Sequence, residues 1–323
     1  MNSVQKPIKV YVITGFLGAG KTTLLNRLLE AKKEERNVVI ENEFGKISID
    51  SMLVSEKFDS IFELNNGCIC CSLDEELATV LSGLTRLNPR PDNLFIEASG
   101  VADPGGVAAI FTQKEVQEYF KLQQVICVAD AVTIEDLLEE IPEAGRQLAA
   151  ADLIIINKES LVSPSYRLNL SSLTQSQNAL AEIRFTDFGN IKLDFFGRER
   201  NIWIQKEVGE ETNPSHSQQF KSFLLEFDQR FDYDLLLNQL TVLLFLSYHQ
   251  VYRIKGMVWF EREKSPFLIQ THGKQVDITP FERTIGIEFG KSQIVVIGKG
   301  VQRSSLEKVF KRALFKINTG TVK

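Results

Sequence analysis

Near its N-terminus the chain carries a phosphate-binding pattern, a glycine followed by four residues and then Gly-Lys-Thr, at residues 15–22. Glycines let a backbone turn tightly enough for several N–H groups to point at phosphate oxygens, because a Cβ would clash there. Lys21 can place its charge on the β- and γ-phosphates, and the Thr22 hydroxyl can coordinate Mg²⁺. The pattern predicts a nucleoside phosphate site formed by Gly15, Gly18, Ala19, Gly20, Lys21, Thr22 and Thr23.

The flanking sequence supplies the secondary structure that such a loop requires. Residues 8–13 (IKVYVI) predict a buried strand, and residues 22–32 (TTLLNRLLEAK) predict an amphipathic helix. A strand, a glycine-rich loop and a helix place the helix N-terminus against an anion, where its N–H groups and dipole favour negative charge. This context favours a true nucleotide site over a chance match in a surface turn.

A second group of reactive side chains is formed by Cys68, Cys70 and Cys71. Three thiolates within four residues can bind a borderline or soft cation such as Zn²⁺, Co²⁺ or Cu⁺. The only other cysteine, Cys127, lies in an apolar run and is interpreted as a small buried hydrophobe. Because a four-cysteine structural site cannot form, the spacing predicts an open metal site suited to exchange or catalysis.

The identity of a fourth metal ligand is left open by the sequence. Glu41 and Glu43 are candidates, and so are water and a second protein. A thiol redox role for the cysteines is an alternative, since cysteines of low pKa at a helix N-terminus are reactive.

Two further motifs follow predicted core strands. Glu97 ends an apolar strand, where a phosphate-loop enzyme keeps a second acidic residue near Mg²⁺.

Asn157 and Lys158 follow the strand 153–156 and resemble the start of the guanine-reading motif Asn-Lys-x-Asp, with Ser160 in place of the Asp. That Asp pairs with two donors of guanine, and charge-assisted hydrogen bonds are about twice as strong as neutral ones. The serine therefore weakens the expected preference for GTP and leaves ATP open.

Strand and helix patterns alternate over about the first 200 residues and predict an α/β fold, a mostly parallel sheet with helices on both faces. Besides residues 8–13, the predicted strands are 37–41, 61–64, 94–98, 124–129 and 153–156. Ligands of such sheets gather at the carboxyl ends of the strands. The phosphate loop, the cysteine cluster, Glu97 and Asn157 all follow strand ends, so we expect them at one edge of the sheet.

The chain is long enough for two domains. We assign residues 1–205 to the phosphate-loop domain with the Cys-x-Cys-Cys loop, residues 206–219 to a linker and residues 220–323 to a smaller α+β domain. The linker is polar and shows no periodicity. In the last domain the predicted strands are 222–227, 251–260, 267–271 and 293–297, and the predicted helices are 233–248 and 305–314.

Composition excludes several classes of protein. Hydrophobic residues make up 43% of the 323 residues and the formal net charge is −5, which predicts a globular core and no surface for nucleic acid or an anionic membrane. The apolar run 235–246 is interrupted by polar residues and too short to span a bilayer. No secretory pattern precedes the phosphate loop. We expect a cytoplasmic protein, with its oligomeric state, including a homodimer, left open.

The ordered combination of these motifs resembles the CobW-like P-loop GTPases, a group of zinc-regulated metallochaperones. The resemblance covers nearly the whole chain and is carried by the phosphate loop, the cysteine cluster, Asn157-Lys158, and four further segments: ENEFG at 41–45, EASGVADP at 97–104, RIKG at 253–256 and IGKG at 297–300. The chain departs from that family at Ser160. It also lacks a histidine-rich tract, since its histidines are isolated: His216, His249 and His272.

The resemblance implies GTP and Mg²⁺ in the first domain and zinc, or Co²⁺, at the cysteines. Together with the residues it predicts a GTP-hydrolysing metal chaperone that delivers zinc to a client metalloprotein, with Lys21 and Glu97 catalytic and Asn157 and Lys158 binding nucleotide. One alternative is a zinc-sensing regulatory module in which hydrolysis is incidental. The other is an ATP-dependent enzyme, left open by Ser160.

Overall fold

The computed structural model of the protein describes residues 6–41, 61–63, 73–98, 103–190, 220–247, 249–281 and 290–315. The chain divides into two compact units. The first holds the described residues up to 175 and those from 181 to 190, and the second holds residues 176–180 and those from 220 onward. The predicted boundary at residue 205 and the linker 206–219 lie outside the described residues and stay predictions.

The first unit is built from seven strands and the helices that connect them. The strands are β1 (Ile8–Gly15), β2 (Asn37–Glu41), β3 (Ile61–Glu63), β4 (Asn93–Glu97), β5 (Phe120–Asp130), β6 (Leu153–Asn157) and β7 (Glu182–Phe185). The helices are α1 (Lys21–Ala31), α2 (Leu73–Arg86), α3 (Pro104–Ile110), α4 (Lys114–Gln117), α5 (Ile134–Glu140), α6 (Pro142–Ala150) and α7 (Pro164–Gln177). The strands form one parallel sheet in the order β3-β2-β4-β1-β5-β6-β7.

Helices cover both faces of this sheet because its strands are apolar on both sides. In β1, Val10 and Val12 pack in one hydrophobic cluster with α2 and α3, whereas Tyr11 and Ile13 pack in another with α1. Burying each large apolar side chain contributes about 1.5–3 kcal/mol relative to leaving it exposed. The predicted α/β class, with a mostly parallel sheet between helices, is confirmed.

The second unit is an antiparallel sheet covered by two helices, which confirms the predicted smaller α+β domain. Its strands are β8 (Phe220–Phe227), β9 (Val251–Val258), β10 (Phe267–His272), β11 (Gln275–Pro280) and β12 (Ser292–Lys299), in the order β11-β10-β9-β12-β8. Its helices are α8 (Tyr233–Leu246) and α9 (Arg303–Arg312). Leu240 of α8 and Phe310 of α9 are fully buried against strand residues such as Ile294.

Two strands, β7 and β11, have no counterpart in the sequence prediction. Both are short, and most of their side chains are partly or fully exposed, so their hydrophobic pattern is weak. Their strand conformation comes from pairing: β7 pairs with β6, and β11 forms a hairpin with β10. Gly273, with φ of 55°, makes the turn of that hairpin.

Cys127 lies in β5, where it is 2% exposed and packs beside Ala129 and Ile154. Burial raises the pKa of its thiol to about 12. The thiol therefore stays protonated at neutral pH and is unsuited to bind a metal. Its surroundings fit the interpretation as a small buried hydrophobe.

No helix in the described ranges is both long and apolar enough to cross a membrane.

Candidate nucleotide-binding site

The loop between β1 and α1 has the backbone of an anion-binding cradle. Gly15, Gly18 and Gly20 have φ angles of 138°, 75° and 103°, in the region that residues with a Cβ rarely occupy. Gly20 is the N-cap of α1, whose first turn holds no acidic residue and, within the described part of the chain, receives no side-chain cap. The first N–H groups of α1 can therefore bind phosphate oxygens.

Lys21 and Thr22 open α1 on the side that faces this loop. The Lys21 ammonium donates a hydrogen bond to the Phe16 carbonyl, with 3.3 Å between Nζ and O, so its side chain folds back over the loop. Thr22 Oγ1 donates to Glu97 Oε1 at 3.2 Å, although the two residues are 75 positions apart. The structure thus brings together a hydroxyl and a carboxylate, which are the hard oxygen ligands that Mg²⁺ prefers. This pair fits the predicted magnesium site.

Glu97 owes its position to the register of the parallel strands. In that register Glu97 of β4 lies opposite Ile13 of β1 on one side and opposite Glu41 of β2 on the other. Glu41 in turn lies opposite Glu63, the last residue of β3. Strands β2, β3 and β4 therefore end at one edge of the sheet, close to where the phosphate loop begins. The predicted position of the cysteine cluster at this edge lies outside the described residues.

The predicted zinc ligands lie outside the described residues. These are Cys68, Cys70 and Cys71, together with the candidate fourth ligand Glu43. Glu41 is described only through the backbone of β2. In the ranges that the structure covers, no three histidine, cysteine, aspartate or glutamate side chains come together as a metal site. The zinc site therefore stays a prediction.

Asn157, at the end of β6, contacts the phosphate loop through its side-chain amide. Its side chain is 3% exposed. Its amide Nδ2 donates to the Ala19 carbonyl at 2.9 Å, and its Oδ1 accepts a hydrogen bond from the Gly189 N–H at 3.3 Å. A Cβ on Gly20 would lie 2.4 Å from Nδ2, so the amide reaches the loop only because residue 20 is glycine. Asn157 thus joins the phosphate loop to the loop after β7.

Lys158 points to an acidic residue that the sequence prediction did not include. Its backbone is left-handed, with φ of 63°, and its ammonium pairs with Asp130 Oδ2 at 2.6 Å. Asp130 ends β5, and its other oxygen accepts from the Val132 N–H at 2.9 Å. The signal in the sequence was an Asp directly after a predicted core strand, in the same place as Glu97. The ion pair orients the Lys158 side chain at the edge of the sheet.

Ser160 is also paired with a residue that sequence reasoning missed. Both its backbone N–H and its hydroxyl donate to Asp187 Oδ1, at 3.1 Å and 2.9 Å. Asp187 follows β7, in the loop that Asn157 contacts through Gly189. No motif marked this aspartate, because the strand before it was itself not predicted.

We expect Asn157→Ala to lower the free energy of unfolding by about 2–4 kcal/mol, because it leaves the Ala19 carbonyl and the Gly189 N–H without this partner in a buried place. Urea unfolding would measure the loss. Asn190→Ala is the matched control, since Asn190 is exposed and its side chain, among the described residues, accepts a 3.5 Å hydrogen bond from Arg27 alone; the substitution should change stability by less than about 0.5 kcal/mol. Equal effects of the two substitutions would contradict the supporting role.

Two family models match this chain. The model described as the CobW/HypB/UreG nucleotide-binding domain matches residues 9–185. The model described as the C-terminal domain of the cobalamin synthesis protein CobW matches residues 220–314.

Individual relatives align over nearly the full length. The zinc chaperone YjiA of Escherichia coli strain K12 is 31% identical over 317 residues, which cover 95% of this chain and 98% of that protein. The zinc chaperone CobW of a Sinorhizobium species is 29% identical over 338 residues, covering 91% and 93%. A crystal structure of the Zn(II)-bound YjiA GTPase from E. coli superposes with a TM-score of 0.70 at 26% identity, covering 97% of this chain and 100% of that one.

The first family model spans the parallel sheet with its phosphate loop, and the second spans the antiparallel sheet. The resemblance inferred from the motifs is therefore confirmed. This chain belongs to the CobW/HypB/UreG family of nucleotide-binding proteins and carries the CobW C-terminal domain.

Proposed function

We propose that this chain is a GTP-driven zinc chaperone, which hydrolyses GTP in its first unit and passes zinc from Cys68, Cys70 and Cys71 to a client metalloprotein. Hydrolysis of GTP follows from membership of the family and from its GTPase relatives. The observation that supports the proposal best is the Thr22–Glu97 contact beside the N-terminus of α1, which no described side chain caps. This arrangement combines sites for a phosphate chain and for a magnesium ion in a chain whose relatives are named zinc chaperones.

Each described residue of the site has a distinct task in this proposal. The N–H groups of α1 hold phosphate oxygens, and Lys21 exchanges the Phe16 carbonyl for the β- and γ-phosphates. Thr22 and Glu97 would hold Mg²⁺, which would supply positive charge to the phosphate oxygens while water attacks the γ-phosphorus and GDP leaves. No described side chain stands out as a general base, so positioning and charge neutralisation carry the hydrolysis.

Coupling between nucleotide and zinc would pass through the edge of the sheet. The chain leaves β2 after Glu41 and β3 after Glu63, both in register with Glu97, and the cysteines follow β3. A γ-phosphate that alters the conformation of these segments would alter the affinity of the cysteines for zinc. Bound zinc would then change the affinity for the nucleotide by the same factor. Each tenfold difference corresponds to about 1.4 kcal/mol of coupling.

We also propose a cytoplasmic location. Three thiols must stay reduced to bind zinc, which favours the reducing cytosol over a secretory compartment. The proposal does not specify the oligomeric state, and whether the protein forms a homodimer is to be measured.

The proposal is tested by a competitive zinc titration of the purified protein against a chromogenic chelator. One sample contains Mg²⁺ and a non-hydrolysable GTP analogue, and the other contains Mg²⁺ and GDP. We expect zinc affinities that differ by at least about tenfold between the two states. The difference should disappear when Cys68, Cys70 and Cys71 are replaced together by serine. Cys127→Ala is the matched control, because that thiol is buried in β5 and should leave zinc binding unchanged.

Equal zinc affinities in the two nucleotide states would overturn the proposal that GTP hydrolysis drives zinc delivery. A change of nucleotide state cannot release a metal that binds both states equally well. Binding of a client that depends on zinc but not on the γ-phosphate would instead support a zinc-sensing regulatory module.

A further inference from the structure

The position that should read guanine in this chain holds a serine, Ser160, which has no carboxylate. Guanine presents two adjacent donors, the N1–H and the exocyclic amine, and an ionised carboxylate is an acceptor-only group suited to bind both. The structure places the carboxylate of Asp187 directly against Ser160, with Oδ1 at 2.9 Å from Ser160 Oγ and 3.1 Å from Ser160 N. A carboxylate is therefore present beside the place where the motif requires one.

The loop that carries Asp187 is tied to the strand end that carries Ser160. The Glu159 N–H donates to the Thr186 carbonyl at 3.2 Å, and the Gly189 N–H donates to Asn157 Oδ1 at 3.3 Å. These bonds lie on both sides of Asp187 in sequence. They tie the loop that carries Asp187 to the end of β6, where the Asn157 amide also donates to the Ala19 carbonyl of the phosphate loop.

Backbone conformation is unusual on both sides of this contact. Among the described residues, Lys158 and Phe188 are the two non-glycine residues with left-handed φ angles, 63° and 51°. Such conformations cost energy and persist where the surroundings hold them, often at ligand sites. Phe188 is held through its carbonyl, which accepts a hydrogen bond from Arg27 Nε at 2.6 Å, while its side chain is 75% exposed.

We propose that Asp187 is the residue that specifies guanine in this chain, in place of the Asp that Ser160 replaces. Ser160 acts as a positioning residue, which donates two hydrogen bonds to Oδ1 and orients the carboxylate. In the described part of the chain no further donor is placed on Oδ2, so this oxygen accepts from the guanine N1–H and amine. The inference rests on the proposed function, since it assigns the base to the same nucleotide site.

Adenine is rejected by the same carboxylate. Where guanine offers the N1–H, adenine offers the lone pair of N1, and two acceptors facing each other repel. Asp187 thus restores the preference for GTP that Ser160 alone would weaken, and it disfavours the ATP-dependent alternative.

The test is the substitution Asp187→Asn, with binding of fluorescently labelled GDP, ADP and xanthosine diphosphate measured by titration. The amide places a donor where Oδ2 lay, which opposes both donors of guanine but pairs with the C2 carbonyl that xanthine carries in place of the amine. We expect GDP affinity to fall by about 10- to 100-fold and xanthosine diphosphate to become the preferred ligand. The gain of a new ligand shows that the variant is folded.

Asp92→Asn is the matched control. The Asp92 carboxylate also accepts a backbone hydrogen bond, from the Arg36 N–H at 2.9 Å, but it lies before β4, at the other end of that strand from Glu97. Its substitution should leave the preference for GDP unchanged.

A reciprocal exchange sharpens the test. Ser160→Asp alone puts two carboxylates about one hydrogen-bond length apart and should weaken GDP binding by repulsion. Adding Asp187→Ser should restore GDP binding, because the carboxylate and the hydroxyl then only change places.

If Asp187→Asn binds GDP, ADP and xanthosine diphosphate as the unmodified protein does, the role of Asp187 is overturned while the proposed function stands. If the unmodified protein itself binds neither GDP nor ADP, the proposed function fails, and this inference fails with it.

Discussion

Replacing Lys21 with alanine lowers kcat for GTP hydrolysis by about 10²- to 10³-fold, on the scale of removing one preorganised group that stabilises developing charge. The expectation follows from the position of Lys21 at the first residue of α1, beside the three glycines with left-handed φ angles. Its ammonium contacts the Phe16 carbonyl at 3.3 Å, a bond that Lys21 can exchange for phosphate oxygens. The free energy of unfolding should fall by no more than about 1.5–3 kcal/mol, the contribution of a hydrogen bond that involves a charged group.

Phosphate release at saturating GTP and Mg²⁺ measures the effect. Lys33→Ala is the matched control, since Lys33 follows the same helix, is 54% exposed and forms a surface ion pair with Glu30 at 3.3 Å. Such pairs contribute about 0–1 kcal/mol, so this variant should hydrolyse GTP at the unmodified rate. Unchanged hydrolysis by the Lys21 variant would remove the phosphate loop from the proposed mechanism.

The second large effect is expected from Gly15→Ala, which should lower the free energy of unfolding by about 2–5 kcal/mol and abolish nucleotide binding. Gly15 ends β1 and lies opposite Val128 of β5. A Cβ at this position would lie 2.1 Å from the Val128 carbonyl oxygen, and the φ angle of 138° is unfavourable for any residue with a side chain. Relief of the clash requires β1 and β5 to separate where the phosphate loop begins.

Gly18→Ala distinguishes the clash from the backbone conformation alone. Gly18 also has a left-handed φ, 75°, but a Cβ there would meet no described atom within 4 Å. This variant should lose only the conformational cost of about 1–2 kcal/mol. Urea unfolding of both variants, followed by far-UV circular dichroism, gives the comparison. Similar losses of unfolding free energy in the two variants would show that the close approach of β1 to β5 is not the reason why residue 15 must be glycine.

The sequence by itself determined the phosphate loop, the alternation of strands and helices, and the place of Glu97 at a strand end. These features are local: each depends on residues within one strand, one helix or one short loop. The order of the motifs was also sufficient to identify the family. Local patterns could do this because glycine, a buried apolar run and an amphipathic period each restrict the backbone without reference to distant residues.

Only the tertiary structure decided which polar side chains meet. Lys158 pairs with Asp130 from 28 residues away, Ser160 with Asp187 from 27, and Asn157 reaches Ala19 across 138. Polar residues at loop starts carry no periodicity, and their partners depend on strand order, in which β6 lies between β5 and β7. Because the strands are parallel, their carboxyl ends come together at one edge of the sheet. This packing puts the Asp187 carboxylate beside Ser160, the position at which the motif in this chain lacks its aspartate.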